Sequence, residues 1–226
     1  MNFVGSVPKG RAGTSGYAGA SGVSGYSGFA GPAITFVQQK TATTADAGSP
    51  SSLTATFDTP ITAGNGVIAI VSWVNTAAGI DSSPTFVGGS ANVLDLASDS
   101  QGTGVAAQIW FNIAQGGETG VTFALDLAAR ASISIIEVSG LASGAPEDAN
   151  NNAALASATV TTNSVTPSSA SNFVVGAGSW TANNYSSGPT NGFTRLTPTG
   201  GGAAFQEAAY LIQSLATAKS TGWGLT

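Results

Sequence analysis

The sequence predicts an all-β fold: an antiparallel β-sandwich preceded by an extended, collagen-like polyproline II stem. Three observations carry this. Glycine recurs at every third residue from Gly10 to Gly31. From Ala33 onward the apolar period changes to two, in short runs separated by turn residues. No stretch longer than ten residues carries a convincing 3.6 period, so no helix is expected. The chain then divides into residues 1–9, an N-terminal anchor; 10–33, the stem; and 34–226, the sandwich domain.

The stem glycines are Gly10, Gly13, Gly16, Gly19, Gly22, Gly25, Gly28 and Gly31. The third position of each triplet is always Ala or Ser, and bulk is confined to the middle one, as at Tyr17, Val23, Tyr26 and Phe29. With three residues per turn, such a chain has one bare face, one small face and one large face. In a triple helix the bare face lies on the axis, where nothing larger than hydrogen fits. The stem is then a parallel homotrimer about 70 Å long at roughly 3 Å per residue. Only Pro32, in the last triplet, is an imino acid, so little of the φ freedom is pre-set and ordering is costly. The triplets therefore need a trimeric domain to clamp them or a partner surface to lie on. Three readings stay open: a trimeric stem, an extended arm pinned to another protein, and a flexible Gly/Ser linker. The linker accounts for the glycine content but not for the strict period.

Strands are expected near Ile34–Lys40, Ser52–Asp58, Gly66–Asn75, Pro84–Val87, Val93–Ser98, Gly104–Ala114, Gly120–Leu125, Ala131–Val138, Ala158–Thr162, Asn172–Trp180, Gly192–Thr197 and Phe205–Gln213. A last one begins near Thr221, and the chain ends inside its apolar signal. Either that strand closes the sheet or the natural product continues. Ala-Gly-Asn-Gly, Gln-Gly-Gly-Glu and Thr-Gly-Gly-Gly segments read as turns. Many short, closely spaced strands mean a sandwich or barrel. Alternation puts Ile133 and Ile135 on one face and Ser132 and Ser134 on the other; Ile109, Phe111 and Ile113 share a face. These apolar residues, with Val67, Ile70, Trp73, Phe173, Val175 and Trp180, are the expected core. Trp73 and Trp110 read first as packing residues and second as a ligand platform.

Composition narrows the function. Charged residues make up 8% of the 226, and net charge is −5 from six basic and eleven acidic residues. The basic residues are scattered, so no patch neutralises several phosphates and nucleic-acid binding is not expected. The longest apolar run, Gly66 to Val74, is interrupted by Ser72 and falls far short of a ~20-residue span, so no membrane crossing is expected. There is no cysteine and no histidine, which removes disulfides, thiolate sites, Ser–His–Asp triads and nearly all zinc chemistry. No metal site, cofactor or catalytic residue is assigned. The N-terminus lacks the basic start and apolar core of a signal peptide.

Three polar features are candidates for chemistry. Glu137 shares a face with Ile133 and Ile135, so it must be paired, protonated or at a rim; the expected partners are Arg130, Arg195 or backbone amides. Glycoside hydrolysis needs a second carboxylate at a set separation, and none is identified. Asp148, Asn150 and Asn152 have the spacing that opens a calcium loop, but Ala153 stands where glycine is needed and no Glu follows at the twelfth position. Tyr185, with Asn184, sits on an expected exposed loop and is the candidate glycan or partner contact.

The triplets resemble the collagen-like segments of phage tail and head fibres. Ile135-Ile-Glu-Val-Ser-Gly140, Pro146-Glu-Asp148, Asn172-Phe-Val-Val and Gly192-Phe-Thr resemble β-sandwich modules common in phage structural and bacterial surface proteins, a likeness covering most of Ile34 to Gln213. It implies a jelly-roll-like or lectin-like sandwich displayed on a virion, and no catalytic residues. The resulting expectation is a bacteriophage virion structural protein, a capsid-attached head fibre or decoration protein. It would be a homotrimer that touches other virion proteins, of capsid or tail, through residues 1–33 and functions on the extracellular particle. The alternative is a tail-fibre module that binds a receptor or carbohydrate.

Overall fold

Runs of β-branched and small apolar residues between Gly, Asn, Pro and Ser leave little but strand and turn available to this chain. A computed structural model shows the result. It describes residues 33–44, 51–74, 83–89, 93–101, 105–125, 130–141, 159–162, 164–167, 171–180, 185–201 and 204–225. The first half contains β1 (Thr35–Thr43), β2 (Ser52–Thr56), β3 (Gly66–Val74), β4 (Thr85–Val87), β5 (Asp95–Gln101), β6 (Val105–Ile113), β7 (Gly120–Ala124) and β8 (Arg130–Ser139). The second contains β9 (Thr159–Thr161), β10 (Asn172–Trp180), β11 (Tyr185–Ser187), β12 (Thr194–Arg195), β13 (Thr199–Gly201), β14 (Ala204–Gln213) and β15 (Gly222–Leu225). No helix occurs among the described residues. The stem triplets and Asp148, Asn150 and Asn152 lie outside them.

The all-β, antiparallel prediction holds. Two expected turn or loop segments are strands instead. Thr199–Gly201, read as a glycine turn, pairs with β14 from Thr199↔Gln206 to Gly201↔Ala204 as one arm of a hairpin. Tyr185–Ser187, read as an exposed loop, pairs with β15. The strand expected over Gly192–Thr197 shortens to Thr194–Arg195, because Asn191 (φ 59°) and Gly192 (φ 78°) take the left-handed conformation of a turn.

In the first half the pairing is nested. β1 pairs β8, β2 pairs β7, β3 pairs β6, and an isolated bridge, Thr85↔Val93, ties β4 to the start of β5. With β3 also on β8, β5 on β6 and β4 on β7, this gives a five-stranded sheet, β1-β8-β3-β6-β5, facing a three-stranded sheet, β2-β7-β4. In the second half, β10-β14-β12, with β13 also on β14, faces β11-β15-β9.

Three apolar layers hold these sheets together. Val67, Val71, Trp73, Ile133 and Ile135 from the five-stranded sheet pack on Leu53, Phe86, Val121 and Phe123 of β2, β4 and β7. The opposite face, with Ile68, Ile70, Phe111, Ile136 and Val138, packs on Ala208, Phe173, Val175 and Tyr210 of β10 and β14. Val174 and Ala209, on the far side of those two strands, pack on Trp223 of β15 and Val160 of β9. The five-stranded sheet is therefore covered on both faces, and β3 is buried over eight of its nine residues. Strands in such a position read as continuous apolar runs rather than alternating ones.

The second cover explains the serines. Ser132 and Ser134 do face away from Ile133 and Ile135, as alternation requires, yet both are buried. Ser134 Oγ accepts from Gln39 Nε2 at 3.0 Å, and Gln206 Nε2 donates to Ser72 Oγ at 3.3 Å. The edge strand β1 is blunted by a bulge between Phe36 and Gln38. Gln39 also exchanges hydrogen bonds with the Thr197 backbone, at 3.1 and 2.9 Å, which fastens β1 to the second half.

Candidate interaction surface

The polar side chains that could carry chemistry are bound into the scaffold. Glu137, only 1% exposed, is held at both oxygens. Gln38 Nε2 donates to Oε2 at 2.5 Å; Thr62 N–H and Asn65 Nδ2 donate to Oε1 at 2.9 and 2.6 Å. The expected backbone amide is present, but neither Arg130 nor Arg195 is the partner. Arg195 instead forms a two-point pair with Glu207, Nε to Oε2 at 2.7 Å and Nη2 to Oε1. The reason is register: Arg195 lies on β12 opposite Ala209, on the same face of the sheet as Glu207, whereas Glu137 points the other way from its own sheet, towards β2. A carboxylate buried this deeply requires full pairing, and a two-point guanidinium is the strongest donor set available to one.

Glu118 is buried too. Its oxygens accept from the N–H groups of Gln115 and Gly116 at 2.9 and 2.7 Å, closing the turn in which Gly116 (φ 101°) and Gly117 (φ 89°) reverse the chain. Each of these carboxylates thus fixes a particular loop or strand: Glu137 the β2–β3 connection, Glu118 the β6–β7 turn, Glu207 the short β12. Among the described residues no group of three or more acidic, histidine or cysteine side chains could hold a metal ion. Nor is any helix among them long and apolar enough to cross a membrane.

Trp73, Trp110, Trp180 and Trp223 are all buried, so the packing reading applies to Trp73 and Trp110 and the platform reading does not. Trp110 Nε1 donates to Gln108 Oε1 at 3.1 Å, and its ring meets Phe123 edge-on at 6.5 Å. Tyr185 opens β11 opposite Leu225 rather than standing on a loop. The Ser-Ser-Gly that follows looks like a turn in sequence, but Gly224 lets β15 come close: a β-carbon there would lie 2.6 Å from Ser187 Oγ. Asn184 lies outside the described residues.

What the sequence did not single out is an aromatic stack. Phe36 of β1 and Phe173 of β10 lie on either side of Tyr210 of β14. Their centroids are 5.1 and 5.2 Å from it, with planes inclined by 10° and 11°. All three rings are half-buried. They sit at the end of the domain where β1 begins, since Thr35 pairs with Ser139, Gly66 with Ile113 and Phe173 with Ile212. Parity could have found part of this, because Ile34 and Phe36 share a face; the partner strands, about 140 and 170 residues away, it could not. Among the described residues the large apolar side chains left exposed are Val37, Val93, Leu96, Ile212 and Leu215. Val37 adjoins Phe36 in sequence, and Ile212 and Leu215 lie at and just beyond the end of β14, so these three belong to the end that carries the stack.

No protein-family model matches the chain, and comparison with curated proteins and with solved structures finds no match.

Proposed function

We propose that the chain is a bacteriophage virion structural protein, a head fibre or capsid-decoration protein that works by association as a trimer. Residues 1–9 anchor it, the triplets at 10–33 form a collagen-like stem, and the β domain is the displayed knob. The observation that carries this reading is the unbroken run of eight Gly-X-Y triplets directly ahead of an all-β domain. A repeat that leaves one face of an extended chain bare serves close approach of backbones, and a parallel three-chain stem is the arrangement that uses it at every triplet.

The nested pairing of the first half, β1 with β8, β2 with β7 and β3 with β6, with one bridge from Thr85 of β4 to Val93 ahead of β5, resembles that of a jelly roll, and jelly rolls are recurrent capsid folds. The buried carboxylates fit a scaffold role, since their lone pairs serve loops and strands of the domain itself. A carbohydrate-binding module needs aromatic faces in the open, and the four tryptophans do not supply them. The test is mass spectrometry of purified particles from the phage or host that encodes the chain. The expected result is recovery of the chain in particles, at a copy number divisible by three. Recovery only from the soluble lysate would sink the virion reading.

A further inference from the structure

We infer that the end of the domain where β1 begins is a self-association surface, through which copies of this chain clamp one another. This rests on the trimer reading above and assigns the clamp that such a stem requires. Eight triplets with a single imino acid leave the ordering cost of the stem largely unrelieved, so a trimer needs further contact between its chains. Where that contact lies is set by connectivity. Gly31 is followed by Pro32, Ala33 and Ile34 before β1 opens at Thr35. An extended chain covers at most ~14 Å over that distance. Chains leaving a common stem therefore begin β1 close together, and the surfaces they bring into proximity are those at this end.

The surface there suits a second copy. Val37 is 45% exposed, Ile212 42% and Leu215 65%, around the half-buried stack of Phe36, Tyr210 and Phe173. Residues 33–39, 139–141, 172–177 and 208–218, which form the β1, β10 and β14 corner of this end, contain no Asp, Glu, Lys or Arg; Asp95, opposite Phe111, lies across the sheet on β5. The whole chain carries a net charge of −5, so copies meet with least repulsion where charge is absent. Apolar centre and aromatic rings without charges are the composition of an interface core. Of the remaining exposed large apolar residues, Leu96 lies on β5, the opposite edge of the five-stranded sheet, and serves as an internal control.

The experiment uses the full chain and its variants Ile212→Lys, Leu215→Lys and, as control, Leu96→Lys. Self-association is followed by sedimentation equilibrium over a hundredfold concentration range, and folding by far- and near-ultraviolet circular dichroism. All three positions are exposed, and Leu215 lies past the end of its strand, so at least that variant retains the fold. The expected result is that Ile212→Lys and Leu215→Lys dissociate at protein concentrations at least tenfold higher than wild type, with unchanged spectra, while Leu96→Lys associates as wild type does. Trimers of undiminished strength in the Ile212 and Leu215 variants would overturn the clamp and leave the trimer standing. Equal weakening by Leu96→Lys would overturn it as well. A wild-type chain that stays monomeric throughout would overturn the trimer reading itself, and the clamp with it.

Discussion

Glu137 and Gln206 are both buried polar side chains, and they should respond to substitution in opposite ways. Glu137 accepts from three donors on two other segments, so its removal leaves the part-buried bonds of Thr62 N–H and Asn65 Nδ2 without their acceptor and Gln38 Nε2 with Thr59 O alone. Glu137→Ala should cost about 3 kcal/mol or more in urea denaturation. Glu137→Gln, which keeps one acceptor, should cost about 1–2. An alanine variant within ~0.5 kcal/mol of wild type would show that water replaces the carboxylate. Gln206 instead makes only long bonds, 3.3 Å to Ile70 O and Ser72 Oγ and 3.4 Å to Ser132 O, and its Oε1 has no partner. Gln206→Leu removes that unpaired acceptor and is expected to be neutral or stabilising by up to about 1 kcal/mol. A loss above ~1.5 kcal/mol in the same assay would contradict this. The face of Glu137 was legible from parity, since alternation along β8 is local. Its partners were not, because Gln38, Thr62 and Asn65 reach it only through the β1–β8 and β3–β8 pairings.

At the scale of elements, strand β10 shows how close approach is built in. A β-carbon on Gly176 would lie 2.6 Å from Thr221 Cγ2, and one on Gly178 would lie 3.0 Å from Val160 Cγ1. The two glycines let β9 and β15 settle onto β10, with Trp223 between them. Thr221 is pinned: its N–H donates to Thr162 Oγ1 at 3.0 Å and it is fully buried. Around Gly178, Val160 Cγ1 at 3.0 Å and the Trp223 ring at 3.3 Å stand farther off, so they need give way by less. Gly176→Ala should therefore destabilise by roughly 1–3 kcal/mol, and Gly178→Ala by less. Thermal denaturation of the two variants gives the order, and the reverse order would mean that β9, not the Thr221 segment, is the rigid wall. Most strands were legible because their alternation and turn residues are written within ten residues. The continuous apolar stretch in β3 was the local trace of burial on both faces, but in β8 Ser132 and Ser134 alternate with Ile133 and Ile135 and carry no such trace. Serine is small enough to lie between two sheets when a glutamine supplies its hydrogen bond, as Gln39 does for Ser134. That substitution of hydroxyl and amide for hydrocarbon hides an interior layer from hydropathy.

For the whole molecule, the decisive property is the difference between the three positions of a triplet. In a three-chain stem, Gly19 lies on the axis and Tyr17 points outward, so the two should differ sharply in tolerance. In a flexible linker neither matters, and in an arm laid on a partner the large side chain is the one that does. Full-length chains carrying Gly19→Val or Tyr17→Ser separate these cases when digested with chymotrypsin, whose preferred sites include Tyr26 and Phe29 inside the stem. A wound stem resists cleavage there, because a protease must draw out a single extended chain. The Gly19→Val chain should be cut at least tenfold faster at Tyr26, having lost the packing on the axis, while Tyr17→Ser stays resistant. Rapid cutting of wild type and both variants alike would establish a linker and leave assembly to the β domain alone. Resistance lost only in Tyr17→Ser would turn attention to a partner surface that grips aromatic side chains. The period alone could not choose among these outcomes, because it records which face of the chain is bare and not what lies against it.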